Sequence, residues 1–265
     1  MAIITLSREP FSGARDLAEC VCRHLGYSLV SRDDVIEKVT QYGMPVDRID
    51  NARRRRLGWL PRKDQEWMRF TVYVRAALSQ EIQLGNLVYI GNNGEQPLQG
   101  FPNLLNVKMS SDARHRIKTL IKRNEYAIDR KTAQKIIERL DKNGVRWGRT
   151  LYNDGRHGPS DFDLVIDPMR TSITEACEII QEIVERPPFK TTPETLETID
   201  LMTIAAEVRA RIAGELDIVD ENVDVQVHDG VISITGSVQS KEDAEAIVEL
   251  MHEEAEVLVV IFWRK

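Results

Sequence analysis

The chain reads as α/β, a three-layer domain on a parallel sheet followed by a small α-β-β-α-β unit. Three observations predict this. Up to about residue 185, short apolar runs alternate with helical patterns, as expected of strands buried on both faces between helices. The stretch "ERPPFKTTPET", Glu185 to Thr195, then breaks the alternation with prolines and threonines and reads as a linker. Beyond it, "VDVQVHDGVISITGSV" contains two alternating runs joined at Asp229-Gly230, a strong hairpin signal. The organisation expected is a first domain over 1–186, a linker over 187–198 and a second domain over 199–265.

The elements follow in order. The opening run Ile3 to Leu6 is a strand, and Ala14 to Leu25 an amphipathic helix. Tyr27 to Val30 is the next strand, and Asp33 to Thr40 a helix with acidic residues in its first turn. A longer helix covers Asp64 to Leu84. Strands at Leu87 to Ile90 and Leu104 to Met109 surround a glycine-bearing turn. Helices at Ser111 to Lys122 and Asp129 to Leu140 each open on a residue suited to an N-cap. Phe162 to Ile166 closes the sheet, and Ser172 to Glu185 forms its last helix. In the second domain a helix at Ile199 to Glu215 precedes the hairpin, and a helix at Lys241 to Glu253 precedes the final run "VLVVIFW".

Composition excludes several classes. The 265 residues carry 42 acidic and 36 basic side chains, a formal net charge of −6, which argues against a general nucleic-acid binder. "NARRRRLGWLPRK", Asn51 to Lys63, is a local exception that reads as a solvated helix or as a contact for an acidic partner or phosphate. No apolar run approaches the roughly 18 residues needed to cross a bilayer, and the N-terminus lacks the pattern of a signal peptide. A cytoplasmic, non-transmembrane protein is expected. Three cysteines give no disulfide framework. Cys20 and Cys22 stand two apart on a helix, facing about 200° apart, and read as helix residues rather than metal ligands. The five histidines show no metal spacing.

The first strand, a turn-rich link and a helix give "AIITLSREPFSGARDLAECV" the outline of a phosphate-binding loop. Such a loop needs glycines for close backbone approach and a lysine for the β- and γ-phosphates. Set against G-x-x-x-x-G-K-[ST], Arg15 falls at the lysine and Asp16 at the magnesium-holding hydroxyl, while Glu9 and Ala14 replace the glycines. Arg15 offers a planar fork for phosphate. Asp16 suits such a site only with magnesium between it and the anion. Ala14 resists a positive φ.

The longer run "ITLSREPFSGARDLAECVCRHLGYSLVSRDDVIEKV" resembles the start of the cytidylate-kinase-like family of P-loop proteins, often written S-R-E-x-G-S-G-G-R-E-I-A. Ser7, Arg8, Glu9, Ser12, Gly13, Arg15 and Ala18 match, Asp16 is a like-charged substitute, and Phe11 and Ala14 replace glycines. "LVYIGNNG", "PNLLNVKMSSDARHRI", "IIERLDKNGVRWGRTLY" and "DFDLVID" follow in the family's order. The resemblance implies ATP and Mg2+ as cofactors, with Ser7, Arg8, Ser12, Gly13, Arg15 and Asp16 around the donor phosphates and Asp16 on the metal. It also implies a lid in which Lys142, Arg146 and Arg149 lie, the last two serving with Arg15 in charge stabilisation. On the acceptor side Gly91-Asn92-Asn93 stands where cytidylate kinases carry Gly-Arg-Asp. Asn92 and Asn93 are therefore candidate acceptor contacts, with Arg32 as a nearby cation.

The segment "VDVQVHDGVISITGSVQSKEDAEAIVEL" resembles a BON domain, with Asp229, Gly230, Ile232, Ile234, Gly236, Val238 and Ser240 at that family's core positions. The resemblance implies phospholipid, small-ligand or protein binding and a regulatory role. Two functions are expected of the whole. One is transfer of the ATP γ-phosphoryl to a nucleoside monophosphate; the other is a catalytically silent nucleotide or anion sensor whose BON domain acts as a regulatory or ligand-binding module.

Overall fold

The structure, a computed structural model, describes residues 2–45, 47–49, 65–91, 97–123, 128–152, 162–219, 223–251 and 257–263; for Arg8, Trp67, 143–152 and 257–263 it describes the backbone alone. Five strands build the first sheet: β1 Ile3–Arg8, β2 Ser28–Ser31, β3 Leu87–Gly91, β4 Leu104–Met109 and β5 Leu164–Ile166. Their order is β2-β3-β1-β4-β5, and every neighbouring pair is parallel. The continuous apolar character of "IITL" follows from this position: β1 is central, and Ile3, Ile4 and Leu6 are fully buried.

The helices linked to these strands are α1 Ala14–Leu25, α2 Arg32–Gln41, α3 Gln65–Gln83, α4 Ala113–Arg123, α5 Arg130–Tyr152 and α6 Ile173–Val184. Leu17, Ala18 and Val21 of α1 and Ala176, Cys177 and Ile180 of α6 pack with Ile4, Leu6, Val88, Leu105 and Val107 of the sheet. α1 and α6 thus form one helical layer on the sheet, as the alternation implied. α6 starts on a reciprocal cap, in which Ser172 accepts from the Glu175 amide and Glu175 accepts from the Ser172 amide.

Two expectations about element ends are corrected. α5 runs to Tyr152 rather than stopping near Leu140. Gly144 lies inside it, and a helical glycine costs only about 1 kcal/mol. The proline-rich stretch is a 3-10 turn at Pro187–Phe189 followed by α7, Pro193–Glu215, so the helix expected from Ile199 starts six residues earlier. Thr192 caps it by accepting from the Thr195 amide, and Pro193 occupies a first-turn position where its missing N–H has no cost.

Packing divides the chain into two compact units, one of residues 1–32, 85–99 and 103–191 and another of residues 33–84, 100–102 and 192–265. In the second unit α3 lies along α7. The Thr203 hydroxyl donates to the Ser79 carbonyl at 3.3 Å, Gln80 donates to Glu207 at 2.9 Å, and Gln83 donates to Asp200 at 3.0 Å. Arg69 donates to the Ala213 carbonyl at 2.8 Å and pairs with Asp217. At Gly214 an added Cβ would stand 2.9 Å from the Tyr73 hydroxyl, so only glycine admits this approach.

The same unit carries the small sheet, β6 Val223–His228, β7 Val231–Val238 and β8 Val257–Trp263, in the order β6-β7-β8. β6 and β7 are antiparallel, and β7 and β8 are parallel. Asp229 and Gly230 take φ of 50° and 76°, the left-handed pair that a two-residue hairpin requires. α8, Lys241–Met251, lies between β7 and β8 in sequence, and Val208, Ile212, Val223, Ile234, Val238, Ala244, Ile247 and Met251 form the core. No helix among the described residues is long and apolar enough to cross a membrane.

Candidate functional site

Parallel topology brings the carboxyl ends of all five strands to one edge, where α/β sheets bind ligands. β1 and β4 are paired with Arg8 opposite Met109, so the residues that follow, Glu9 and Ser110, leave the sheet side by side. Glu9 exploits this. Its carboxylate accepts from the Ser111 amide at 3.0 Å and from the Ser110 hydroxyl at 3.3 Å, and stands 3.7 Å from Nε of Arg116. Arg116 is buried and binds Asp141 of α5 through two parallel bonds of 2.6 and 2.9 Å. The bond to Asp141 outweighs burial and raises the guanidinium above its usual range.

Between β1 and α1 the loop turns at two left-handed residues, Phe11 with φ 64° and Gly13 with φ 92°. Gly13 is the N-cap of α1 and makes no side-chain cap bond. A Cβ at Gly13 would meet its nearest neighbours at an ordinary 3.7 Å, so the conformation, not the space, demands glycine. Ala14 is already helical and buried, so the strain that its glycine replacement led us to expect falls instead on Phe11. The Phe11 ring packs against Ile117, Leu120, Ala133 and Ile137 of α4 and α5. Ser12 donates its amide to the Glu9 carbonyl at 3.1 Å, while its buried hydroxyl has no hydrogen-bond partner among the described residues. The buried Ser111 hydroxyl is in the same condition.

The sequence-derived residues fall as follows. Ser7 is buried at the end of β1, opposite Gly91. Arg8 ends β1, and only its backbone is described. Arg15 is exposed in the first turn of α1 and pairs with Glu19 at 2.9 Å along the same helix. Asp16 pairs with Arg123 of α4. Arg32 opens α2 directly after β2. Lys142 is exposed, and Arg146 and Arg149 lie in the helical backbone of α5. Asn92, Asn93 and Arg53 to Arg56 lie outside the described residues. Sequence reasoning gave no role to Arg116, Asp141 or Arg123, and matched Glu9 without assigning it a contact. No local pattern marked them, because Arg116 and Asp141 are 25 positions apart and Arg123 and Asp16 are 107 apart.

A five-stranded parallel sheet with flanking helices and a loop running from β1 into the α1 N-terminus defines a P-loop kinase-like fold. The chain belongs to the cytidylate kinase-like family, whose model matches residues 3–169, and carries a BON domain matched over residues 200–261. A crystal structure of an uncharacterized protein from Eubacterium ventriosum is 18% identical with a TM-score of 0.54, over 69% of this chain and 98% of that one. A sugar kinase from Janibacter is 14% identical with a TM-score of 0.41, over 72% and 99%. Shikimate kinase from Bacteroides thetaiotaomicron is 12% identical with a TM-score of 0.42, over 70% and 99%. At these identities the first similarity speaks for the fold alone. A search of curated proteins returns no match.

Proposed function

We propose that this protein binds the phosphate of a nucleotide at the N-terminus of α1 and acts as a sensor rather than a phosphotransferase, its BON domain serving as a regulatory or ligand-binding module. The observation that carries the reading is the buried, unpartnered hydroxyl of Ser12 beside the uncapped first turn of α1. Free N–H groups and the positive end of the helix dipole favour an anion there, and a second orphaned hydroxyl on Ser111 lies on the loop bonded to Glu9. The ligand class also fits the family.

Two of the side chains that transfer would need, Arg15 and Asp16, are engaged with protein partners. Arg15 is held along α1 by Glu19, and Asp16 is neutralised by Arg123. The buried Arg116 serves Glu9 and Asp141. These pairings support binding without turnover. In this reading the phosphates of ATP would meet the loop at Ser7, Arg8, Ser12 and Gly13. The metal would meet Asp16 only once its bond to Arg123 opens.

The competing reading is transfer of the ATP γ-phosphoryl to a nucleoside monophosphate. It is favoured by Arg146 and Arg149, which stand three apart in one helix, α5, and so on one face. In that reading they join Arg15 as charge stabilisers, with Arg32, Asn92 and Asn93 on the acceptor. One pair of measurements separates the two. Thermal melting with ATP, ADP, AMP, CMP or sulfate, with and without magnesium, reports binding to the native state. Coupled turnover with nucleoside monophosphates reports transfer. Stabilisation that is lost in Ser12→Ala, without turnover, is the expected result. Turnover abolished by Arg15→Ala would establish the enzyme instead, and a melting temperature unmoved by every ligand would overturn both. A cytoplasmic location belongs to the same proposal, in keeping with the three free thiols.

A further inference from the structure

We propose that Cys20, His24 and Cys177 form a metal site for a soft divalent ion of the zinc type, clamping α1 to α6. Cys20 and His24 are four apart on α1 and so share one face, and Cys177 reaches them from the packed helix α6. The three ligand atoms all lie within 4.8 Å of one another, and among the described residues this is the one such group of three. His24 Nδ1 stands 3.6 Å from Sγ of Cys20 and 3.6 Å from Sγ of Cys177.

Those separations match the demands of a tetrahedral ion. With zinc–sulfur bonds of about 2.3 Å and zinc–nitrogen bonds of about 2.0–2.1 Å, a tetrahedral angle sets sulfur and nitrogen about 3.6 Å apart. The donor set also selects the ion, because two thiolates and an imidazole suit zinc and not magnesium or calcium. Cys177 is buried, Cys20 is half-buried and His24 is exposed, so protein closes one side and solvent can supply a fourth ligand.

The proton balance is simple. Nδ1 lies 2.9 Å from the Cys20 carbonyl, to which it donates in the metal-free protein. That carbonyl belongs to the helix ladder of α1 and also accepts from the His24 amide, so it stays satisfied when Nδ1 gives up its proton. On binding, the imidazole proton resides on Nε2, both thiols lose theirs to solvent, and the two thiolates neutralise the dication. Burial, followed by the neighbouring Cys20 thiol, pushes Cys177 up to about 12, so the empty site is uncharged at its buried end. Arg23 and Glu178 are the charged side chains that bear on it.

The test uses the full chain, reduced and stripped with chelator, then titrated anaerobically with cobalt(II) alone and afterwards with zinc(II). One cobalt ion per chain should bind, with thiolate-to-cobalt charge-transfer absorption and the strong visible bands of a tetrahedral site, and zinc should bleach both. Zinc should also raise the melting temperature. Cys20→Ser, Cys177→Ser and His24→Ala should each remove the charge-transfer band or greatly weaken it, while Cys22→Ser keeps it. The exposed His24 supplies a variant that retains the fold if Cys177→Ser does not. Absence of the band in the wild type, its persistence in His24→Ala, or a Cys20–Cys177 disulfide in a chain that takes up no metal would each overturn the site.

Discussion

Arg116 and Asp141 meet fork to fork, two parallel hydrogen bonds joining α4 to α5 while the remaining edge of the guanidinium faces Glu9 at the foot of the loop. One buried cation thereby serves two carboxylates from different elements. Replacing it by methionine keeps the apolar stem and strands both anions. Breaking a buried pair from one side costs about 3 kcal/mol or more, and the partial exposure of Glu9 and Asp141 places Arg116→Met at the lower end. Chemical denaturation should show that loss, and Arg116→Met with Asp141→Leu should lose less than the two single changes summed.

The bond between Asp16 and Arg123 makes a prediction about metal dependence. Arg123→Ala frees the carboxylate at the first turn of α1. Nucleotide binding, read as thermal stabilisation, should become more dependent on magnesium in this variant and weaker without it. Equal stabilisation with and without the ion would detach Asp16 from any metal role.

Phe11 holds a left-handed backbone while its ring fills a place against α4 and α5. Glycine removes the ring and the strain; alanine removes the ring alone. Phe11→Ala should therefore be less stable than Phe11→Gly by about 1 kcal/mol, the left-handed penalty of an ordinary residue. An alanine variant as stable as the glycine one would show that the loop has relaxed out of this conformation.

The thiols set an alkaline limit. Burial, followed by the charge of Glu19, pushes Cys22 up to about 11, and burial pushes Cys177 up to about 12. In the metal-free protein both groups hold their protons more tightly folded than unfolded. The associated stability is complete below their ordinary value near 9 and declines as pH rises through about 11 and 12. Alkylation of both should be slow at neutral pH and accelerate toward those values, and a fast neutral reaction at Cys177 would contradict its burial.

The packing of α3 on α7 predicts the behaviour of nicked protein. Cleavage within 187–191 separates α3 from α7 covalently, yet the bonds from Thr203, Glu207, Asp200 and Ala213 back to α3 lie on the two fragments. The fragments should co-elute by size exclusion without denaturant. Separation under native conditions would show that this packing contributes little.

Much of this was legible because it is local. Periodicity located the strands and helices, and Asp229-Gly230 fixed the hairpin, since each depends on residues close in sequence. The left-handed turn was placed at Ala14, whereas it falls at Phe11 and Gly13. Arg15 was assigned to phosphate because it starts a helix, although Glu19, four residues on, offered it an equally local partner. Glu9 with Arg116 could not be read, because 107 residues separate them and only the register of β1 against β4 brings them together. Cys20 was compared with Cys22, the wrong spacing on a helix. Cys20 and His24 had the right one, and Cys177 needed the packing of α1 on α6 to appear.

The lodging of residues 33–84 with the C-terminal unit bears on synthesis at the ribosome. Ser79 and its bonded partner Thr203 are 124 positions apart. At about 5–20 residues per second, α3 has left the peptidyl-transferase centre for roughly ten seconds before α7 is even translated. Throughout that interval its apolar side has no α7 to cover it. The helix α3 therefore waits through the synthesis of β5 and α6 before the helix it lies along exists, and the order of synthesis limits when this pair can form.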